Sequence, residues 1–407
     1  MPELNVRRNT FLLAATLAIN SCLFQLAAAV NSLTFVLITG ITGLLGLGPA
    51  IFLAASGLAA LPAGRAMDRF GRRPVIITGF LIAAGGCSLI ALATRTESAA
   101  QLIVGMCMTG AAGGVALLIR TAAGDMYPQE RRARGISYVL FGSVFGAILG
   151  PAVFSPLFAG KHLAADALTV PWLAAAALAL AAAAVALLVR PDPKQIAEAL
   201  RTTSDTEEPA APLAEILRRP GVIPALLAAL ASFGVMVSVM NLTGYVVVEH
   251  HHHAQREVFP IIGAHVLGMY ALVLVVGPLI DRIGRGVSLW TGLVLMAVSC
   301  IGITWFESVV GSAVLLFGLG LGWSVSFVAA TAQLADRAAP AERGKLLGFN
   351  DLVSALAGAA LALVGGYALD SLGVAALAIG AAVLVLLPLV RLLRGDEAVG
   401  TIAPRRT

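Results

Sequence analysis

Charge is scarce in this chain: Asp, Glu, Lys and Arg supply 12% of its 407 residues. That is about half the share of an ordinary soluble domain, which excludes a water-facing globular surface of the usual kind. Cysteine is scarce as well. Cys22, Cys87, Cys107 and Cys300 form no C-x-x-C pair and all fall in apolar stretches, so neither a disulfide framework nor a zinc site is indicated. The phosphate-cradling G-x-x-x-x-G-K-[ST] is missing, and with it any sign of ATP hydrolysis. No small-residue cleavage site follows Arg7-Arg8 and the first apolar stretch, so that stretch is expected to be retained as a helix and not removed as a signal peptide.

Apolar residues are what the chain has in excess. They make up 59% of it, with a mean hydropathy of +0.92, the composition of an integral membrane protein. Stretches of about 20 apolar residues, the length that crosses a bilayer, recur near 10–34, 42–63, 74–94, 99–122, 136–158, 169–190, 221–246, 257–280, 287–306, 309–332, 345–368 and 372–393. The expected fold class is therefore an all-α membrane protein with twelve transmembrane helices. Lys and Arg near span ends stay on the cytoplasmic side. With the N-terminus inside, the inner segments take Arg7, Arg8, Arg65, Arg69, Arg72, Arg73, Arg131, Arg132, Arg134, the cluster from Arg190 to Arg219, Arg282, Arg285, Arg337, Arg343, Lys345 and the C-terminal arginines. Arg95, Lys161 and Arg256 fall outside. Both termini are thus expected to be cytoplasmic, with the chain crossing the cytoplasmic (inner) membrane many times. The net charge of +5 follows from this topology, so membrane lipid is an expected partner and nucleic acid is not.

The chain also repeats itself. Gly64-Arg65-Ala66-Met67-Asp68-Arg69-Phe70-Gly71-Arg72-Arg73 is echoed by Gly277-Pro278-Leu279-Ile280-Asp281-Arg282-Ile283-Gly284-Arg285-Gly286, and the run from Asp125 by the run from Asp336, at offsets of 211 to 213 residues. Two loops repeated at one offset imply two parallel six-helix bundles, 1–190 and 221–395. Between them, 191–220 reads as a polar cytoplasmic linker with Thr202, Thr203, Ser204, Asp205, Glu207 and Glu208. Within it Leu213 to Leu217 is expected to form a short surface helix, and 396–407 is a cytoplasmic tail.

These loops resemble the major facilitator superfamily, whose G-x-x-x-D-R-x-G-R-R signature is matched without a mismatch at residues 64–73. The resemblance covers essentially the whole chain. It implies two bundles rocking about a site near mid-membrane, with Asp68, Arg69, Arg72, Arg73, Asp281 and Arg282 at the inner gate. Asp68 can accept from a neighbouring helix N-terminus or an Arg and so latch that gate. Asp351, beside Asn350, either carries protons or pairs with the arginines of the Asp68 loop as part of the gate. Gly142, Gly146 and Gly150 ahead of Pro151 resemble the glycine-rich motif of the family's exporters, and equally are small residues that let helices approach. Many proton-coupled drug exporters of this superfamily carry an Arg inside the fourth span. Here Met106 takes that place, and Arg120 is expected to snorkel to the inner end.

Soft donors stand out in the second half. Met236 with Met240, and His265 with Met269, are i,i+4 pairs, so each pair shares one helix face. Thioether and imidazole are groups that Cu(I) favours. The two pairs are similar to the M-x-x-x-M and H-x-x-x-M motifs of the CcoA-like copper importers, a branch of the superfamily that supplies copper for cytochrome oxidase assembly. Counted from the outer ends of their spans, Met240 and His265 both lie about 10 Å deep. An ionisable residue inside a span is a functional candidate in its own right. His250, His251, His252 and His253 lie at the expected outer mouth, as a weak metal-collecting run or as a polar turn. Cys22, Asn20 and Asn241 are candidate cavity-lining groups, with interhelical bonding as the alternative. The reading is import of copper as cargo, with no resident cofactor, released to a cytoplasmic copper acceptor. The rivals are a carrier of a small organic molecule such as riboflavin, in which the methionines are only wall, and a membrane sensor or scaffold that moves nothing.

Overall fold

The computed structural model describes residues 2–128, 132–158, 165–200 and 211–395, and among these it is all helix with no strand. The first half of the chain supplies α1 (Pro2–Thr39), α2 (Leu47–Phe70), α3 (Arg72–Thr96), α4 (Ala99–Leu117), α5 (Ile119–Asp125), α6 (Arg132–Phe158) and α7 (Thr169–Leu187). The segment joining the halves carries α8 (Pro193–Leu200) and α9 (Leu213–Leu217). The second half supplies α10 (Val222–Tyr245), α11 (Gln255–Tyr270), α12 (Val273–Ile283), α13 (Arg285–Gly302), α14 (Val309–Asp336) and α15 (Pro340–Gly395).

Leu- and Ala-rich sequence makes these helices, and local chemistry ends them. Ser98 and Ser308 accept from the backbone N–H three residues on, at 3.4 and 3.1 Å, and so cap α4 and α14. Gly71 and Gly284, the repeat-related glycines, sit at φ +101° and +88° between α2 and α3 and between α12 and α13, where a side chain would be strained. At Gly71 an added Cβ would also stand 2.8 Å from Asp192.

Among the described residues nine helices are long and apolar enough to cross a bilayer, or ten if α11 and α12, bent by 40° at their break, are one span. One region departs from a one-helix-one-span pattern: α15 runs through two expected spans with a non-helical residue, Gly373 at φ +81°, inside it. Exposed Leu58, Leu92, Val104, Leu180, Val298, Val314 and Leu387 lie along the outer faces of the spans, the apolar surface that lipid would cover. α9 forms where the short surface helix is expected; residues 201–210 and 396–407, with Arg131, Lys161 and His162, lie outside the described residues.

α1 packs on α6 and α7, α3 on α4 and α7, α10 on α15 and α14, and α11 and α13 on α14. The halves meet through α2 against α15, α6 against α11 and α1 against α10. One apolar core runs across this junction, joining Leu26, Phe35 and Phe154 of the first half to Val239, Phe259 and Ala362 of the second. At the end where the linker lies, each half instead has a core of its own. Met67, Ile76 and Ile119 belong to one, Ile216, Leu226 and Leu334 to the other. The halves are therefore fused at the far end and separate at the linker end.

Candidate functional site

One ion pair joins the halves across this separation. Arg120 of α5 gives Nη2 to a carboxylate oxygen of Asp351 in α15, 231 residues away. About a third of each side chain is exposed (31% and 30%), so the pair is not sealed in the core although both residues lie inside helical spans. This corrects two expectations. Arg120 does not snorkel, and Asp351 does not pair with the arginines of the Asp68 loop, because those arginines are already engaged. Arg72 donates to Asp68 at 2.5 Å and to Asp125 at 2.9–3.0 Å, Arg73 to the Leu187 carbonyl at 2.8 Å, and Arg69 lies over the Phe70 ring.

A ladder of rings ends at Gly358, two helical turns along α15 from Asp351. It begins at Tyr270, the last residue of α11. Tyr270 meets Trp323 edge-on at 6.2 Å, Trp323 stacks on Phe327 at 5.2 Å and 16°, and Phe327 meets Phe233 of α10 at 5.8 Å. Phe233 and Leu53 of α2 both reach Gly358, two turns beyond Asp351 on α15, so the ladder ends where the halves touch. The Trp323 Nε1–H is buried with no partner among the described residues. Asn350 and Ser354, flanking Asp351, are buried with the Asn350 Oδ1 and Ser354 Oγ likewise unpartnered. Sequence reasoning names Asp351 and Arg120 but neither their pairing nor the ladder, although Trp323 and Phe327 are an i,i+4 aromatic pair within a span.

The soft donors are placed differently. Met236, Met240, His265 and Met269 are all buried. His265 turns to α14 of its own half, where Nδ1 donates to the Leu316 carbonyl at 2.8 Å, which leaves Nε2 buried without a partner. Met236 shares a helix face with Ser232, whose hydroxyl meets the Met296 sulfur at 3.5 Å and Ser326 at 2.6 Å. Met240 precedes by one turn Gly244, where a Cβ would stand 2.3 Å from the Ala29 carbonyl of α1. α10 makes its main contacts with α15 and α14, and α11 with α14 and α6, so the two donor helices share α14 as a neighbour.

Cys22 is not a cavity group: its thiol points to the Gly146 carbonyl of α6 at 3.5 Å, because the glycine face of α6 lies directly on α1. Gly142 and Gly150 meet the same helix, at Ala14 and Gln25, as close packing requires. Asn20 is half-buried. Asn241 is buried at the junction of the halves, its carbonyl accepting from Ser32 at 3.2 Å and its amide donating to Val237.

Around the linker the latches close within each half. The Asp68 side chain is largely exposed and meets Arg72 of its own loop, while its carbonyl accepts from Lys194 of the joining segment at 2.6 Å, so neither described contact latches one half to the other. Asp192 caps α3 through the N–H groups of Arg72 and Arg73, at 3.0 and 2.9 Å. In the second half Arg285 meets Asp336 at 2.5 Å, the counterpart of Arg72 with Asp125. Buried Glu342 takes both Nη atoms of Arg219, at 2.6 and 2.9 Å, and the Ala339 and Ala211 N–H groups. These bonds hold its carboxyl down at about 2. Arg282 is exposed, and the Asp281 side chain lies outside the described residues.

The His run forms no metal chelate: among the described residues no three His, Cys, Asp or Glu converge to hold an ion. His253 joins the Glu307 carbonyl at 2.7 Å and Glu257 at 3.4 Å, His250 packs on Tyr245, and His252 has φ +56°. Burial lowers the pKa of His251 below the ordinary imidazole value, and its His neighbours add to this. The run is thus tied into the far-end surface by protein contacts.

The sequence pattern of the Major Facilitator Superfamily matches residues 13–359, with a further match over 259–406. The chain belongs to this superfamily. It is a multi-pass membrane transporter and not an enzyme. An uncharacterised transporter of the superfamily from Bacillus subtilis, YdeG, is 32% identical over 362 residues, 86% of this chain and 83% of its own length. The riboflavin transporter RfnT of Brucella anthropi is 30% identical over 357 residues, 85% of each. The xylose transporter XylE of E. coli, in a partially occluded inward-open conformation, shares the fold at a TM-score of 0.72 and 14% identity, covering 96% of this chain and 97% of that one.

Proposed function

We propose that this transporter imports a small organic solute across the cytoplasmic (inner) membrane by alternating access at the Arg120–Asp351 site. The single observation behind this reading is that pair. Among the described residues it is the ion pair that spans both halves, it is partly exposed, and an aromatic ladder ends two helical turns from Asp351 on the same helix. A site that must be offered to each side in turn has to be built from both moving parts, and an intramembrane ion pair marks a solute or proton path. The likeness to a riboflavin transporter makes riboflavin the first solute to try. We read the chain as twelve spans in two bundles, 1–190 and 221–395, with the 191–220 linker, the 396–407 tail and both termini cytoplasmic. In support, the 45-residue apolar run Lys345–Leu389 would be about 67 Å long as one helix, twice the roughly 30 Å hydrocarbon thickness. Under this topology the fused far end is outside and the separated linker end inside, an inward-facing state. The test is uptake of labelled riboflavin by cells that cannot make it. Wild type accumulates it and Asp351→Asn does not; equal uptake by both rejects the site.

Copper import remains a second reading, because one observation favours it. With Nδ1 donating to Leu316, the neutral His265 ring keeps a buried, unused lone pair on Nε2, the arrangement in which a backbone carbonyl orients a metal-binding imidazole. In that reading Met236, Met240, His265 and Met269 carry Cu(I) toward a cytoplasmic acceptor for cytochrome oxidase assembly. Cellular copper in a Met236→Ala/Met240→Ala double mutant decides: a level equal to wild type removes copper as cargo.

A further inference from the structure

Resting on the reading of an organic solute at the Arg120–Asp351 site, we infer that the solute is a flat conjugated ring system with carboxylate or carbonyl acceptors along one edge. Two features of the site select it. The first is the shape and chemistry of the wall. Tyr270, Trp323, Phe327 and Phe233 follow one another at centroid spacings of 5.2 to 6.2 Å, and the central two are nearly parallel. The end members, Tyr270 and Phe233, are half-buried, and Phe233 reaches Gly358 where the halves touch. An aliphatic solute needs no such wall, since Leu and Val bury it as well; ring faces and edges discriminate for another flat π system.

The second feature is a set of donors. A guanidinium carries five N–H groups in one plane, and Asp351 engages Arg120 through Nη2, so donors remain on the other nitrogens. Planar donors match planar acceptors such as carboxylates. The Trp323 indole N–H, buried without a partner, is a second donor, and a buried donor left unpaired is costly until an acceptor reaches it. Trp323 belongs to the ladder, and Asp351, which holds Arg120, lies two helical turns along α15 from Gly358, where the ladder ends, so one flat ligand that bridges the two can give an edge to both donors and a face to the rings. Asp351 then serves as the occupant of Arg120 that the ligand edge supplements or displaces.

The test uses three probes on the purified full chain in lipid nanodiscs, with affinity read from thermal shift and from quenching of tryptophan fluorescence. These are 2-naphthoate (flat, with a carboxylate), cyclohexanecarboxylate (the same charge, not flat) and 2-methylnaphthalene (flat, with no acceptor). 2-Naphthoate is expected to bind at least about tenfold tighter than either control. Trp323→Leu should shrink its advantage over cyclohexanecarboxylate to about twofold, and Arg120→Gln its advantage over 2-methylnaphthalene. If Trp323→Leu does not fold, Trp323→Phe keeps a ring face without the N–H, and should weaken 2-naphthoate while leaving 2-methylnaphthalene unchanged. Equal binding of all three probes, or a preference for 2-naphthoate that survives both Trp323 changes, overturns the inference. Solute uptake that depends on Arg120 and Asp351, in a protein with no preference for the flat anion, rejects this inference alone. Absence of any such uptake rejects the proposed site as well.

Discussion

Asp351 and His265 are both ionisable residues inside spans of the second half, yet the fold uses them in different ways. Asp351 reaches out of its half to Arg120 and keeps about a third of its surface exposed. His265 turns inward to the Leu316 carbonyl of α14 and is fully buried. A group that bridges two moving bodies feels their rocking directly. One that is bonded within a single body feels it only if that body deforms. Position relative to the junction of the halves, and not mere presence in a span, is therefore what separates a contact between two bodies from a contact within one.

The largest effect is expected at the bridge. Removing one partner of a buried ion pair strands the other at a cost of about 3–5 kcal/mol, and the partial exposure of this pair brings that down. Asp351→Ala should still lower uptake by about tenfold or more, a change of at least about 1.4 kcal/mol, with the protein remaining folded. His265→Ala should leave uptake of an organic solute within about twofold of wild type. A collapse of both variants would dissolve the contrast between the two residues.

The next effect concerns the ends of the bundle. At Gly244 an added side chain meets the Ala29 backbone of the other half, whereas at Gly277, in α12, it meets nothing within 4 Å. Gly244→Val should therefore destabilise the protein by about 1–3 kcal/mol, the usual cost of overpacking, and loosen the far end. A cysteine placed at Ser32 should then react faster with thiol reagents. Gly277→Val should leave that labelling rate unchanged.

Much of this architecture can be read from the chain. Hydropathy marks the all-helical membrane fold, with nine or ten apolar helices of spanning length among the described residues, and the Asp68 and Asp281 loops stand out because charge and glycine are conspicuous against an apolar background. The short helix at Leu213 is visible for the same reason. The bridge was hidden because Arg120 and Asp351 are separated by 231 residues, and no local pattern encodes which helix faces which. His265 was flagged correctly as unusual. Its partner is a backbone carbonyl, however, and a carbonyl leaves no signature in the sequence. Cys22 was misplaced for a related reason: the glycines of α6 bring α1 so close that the thiol has a helix in front of it and not a cavity.

Smaller effects belong to the latches. The Glu342 carboxyl lies at about 2 against an ordinary 4.5. A depressed carboxylate contributes its stability in full above the unfolded value and loses it as pH falls through the folded one. Thermal stability from this contact should thus be flat between pH 8 and 5 and decline from about pH 4.5 toward 2. Glu342→Gln should lower the melting temperature at pH 7 and flatten that acid limb. Asp68→Asn should matter least, about 0.3–0.5 kcal/mol as for an exposed i,i+4 pair, since Asp125 still holds Arg72. Denaturant or thermal unfolding of the two variants side by side checks both.

The most direct measurement is uptake by the purified protein in proteoliposomes, of labelled riboflavin and of radioactive copper under reducing conditions, for wild type, Asp351→Asn and His265→Ala. Riboflavin should enter with wild type and His265→Ala and stay out with Asp351→Asn, while copper enters with none. Copper entry that His265→Ala abolishes and Asp351→Asn leaves intact would contradict the assignment of the solute site to the bridge between the halves.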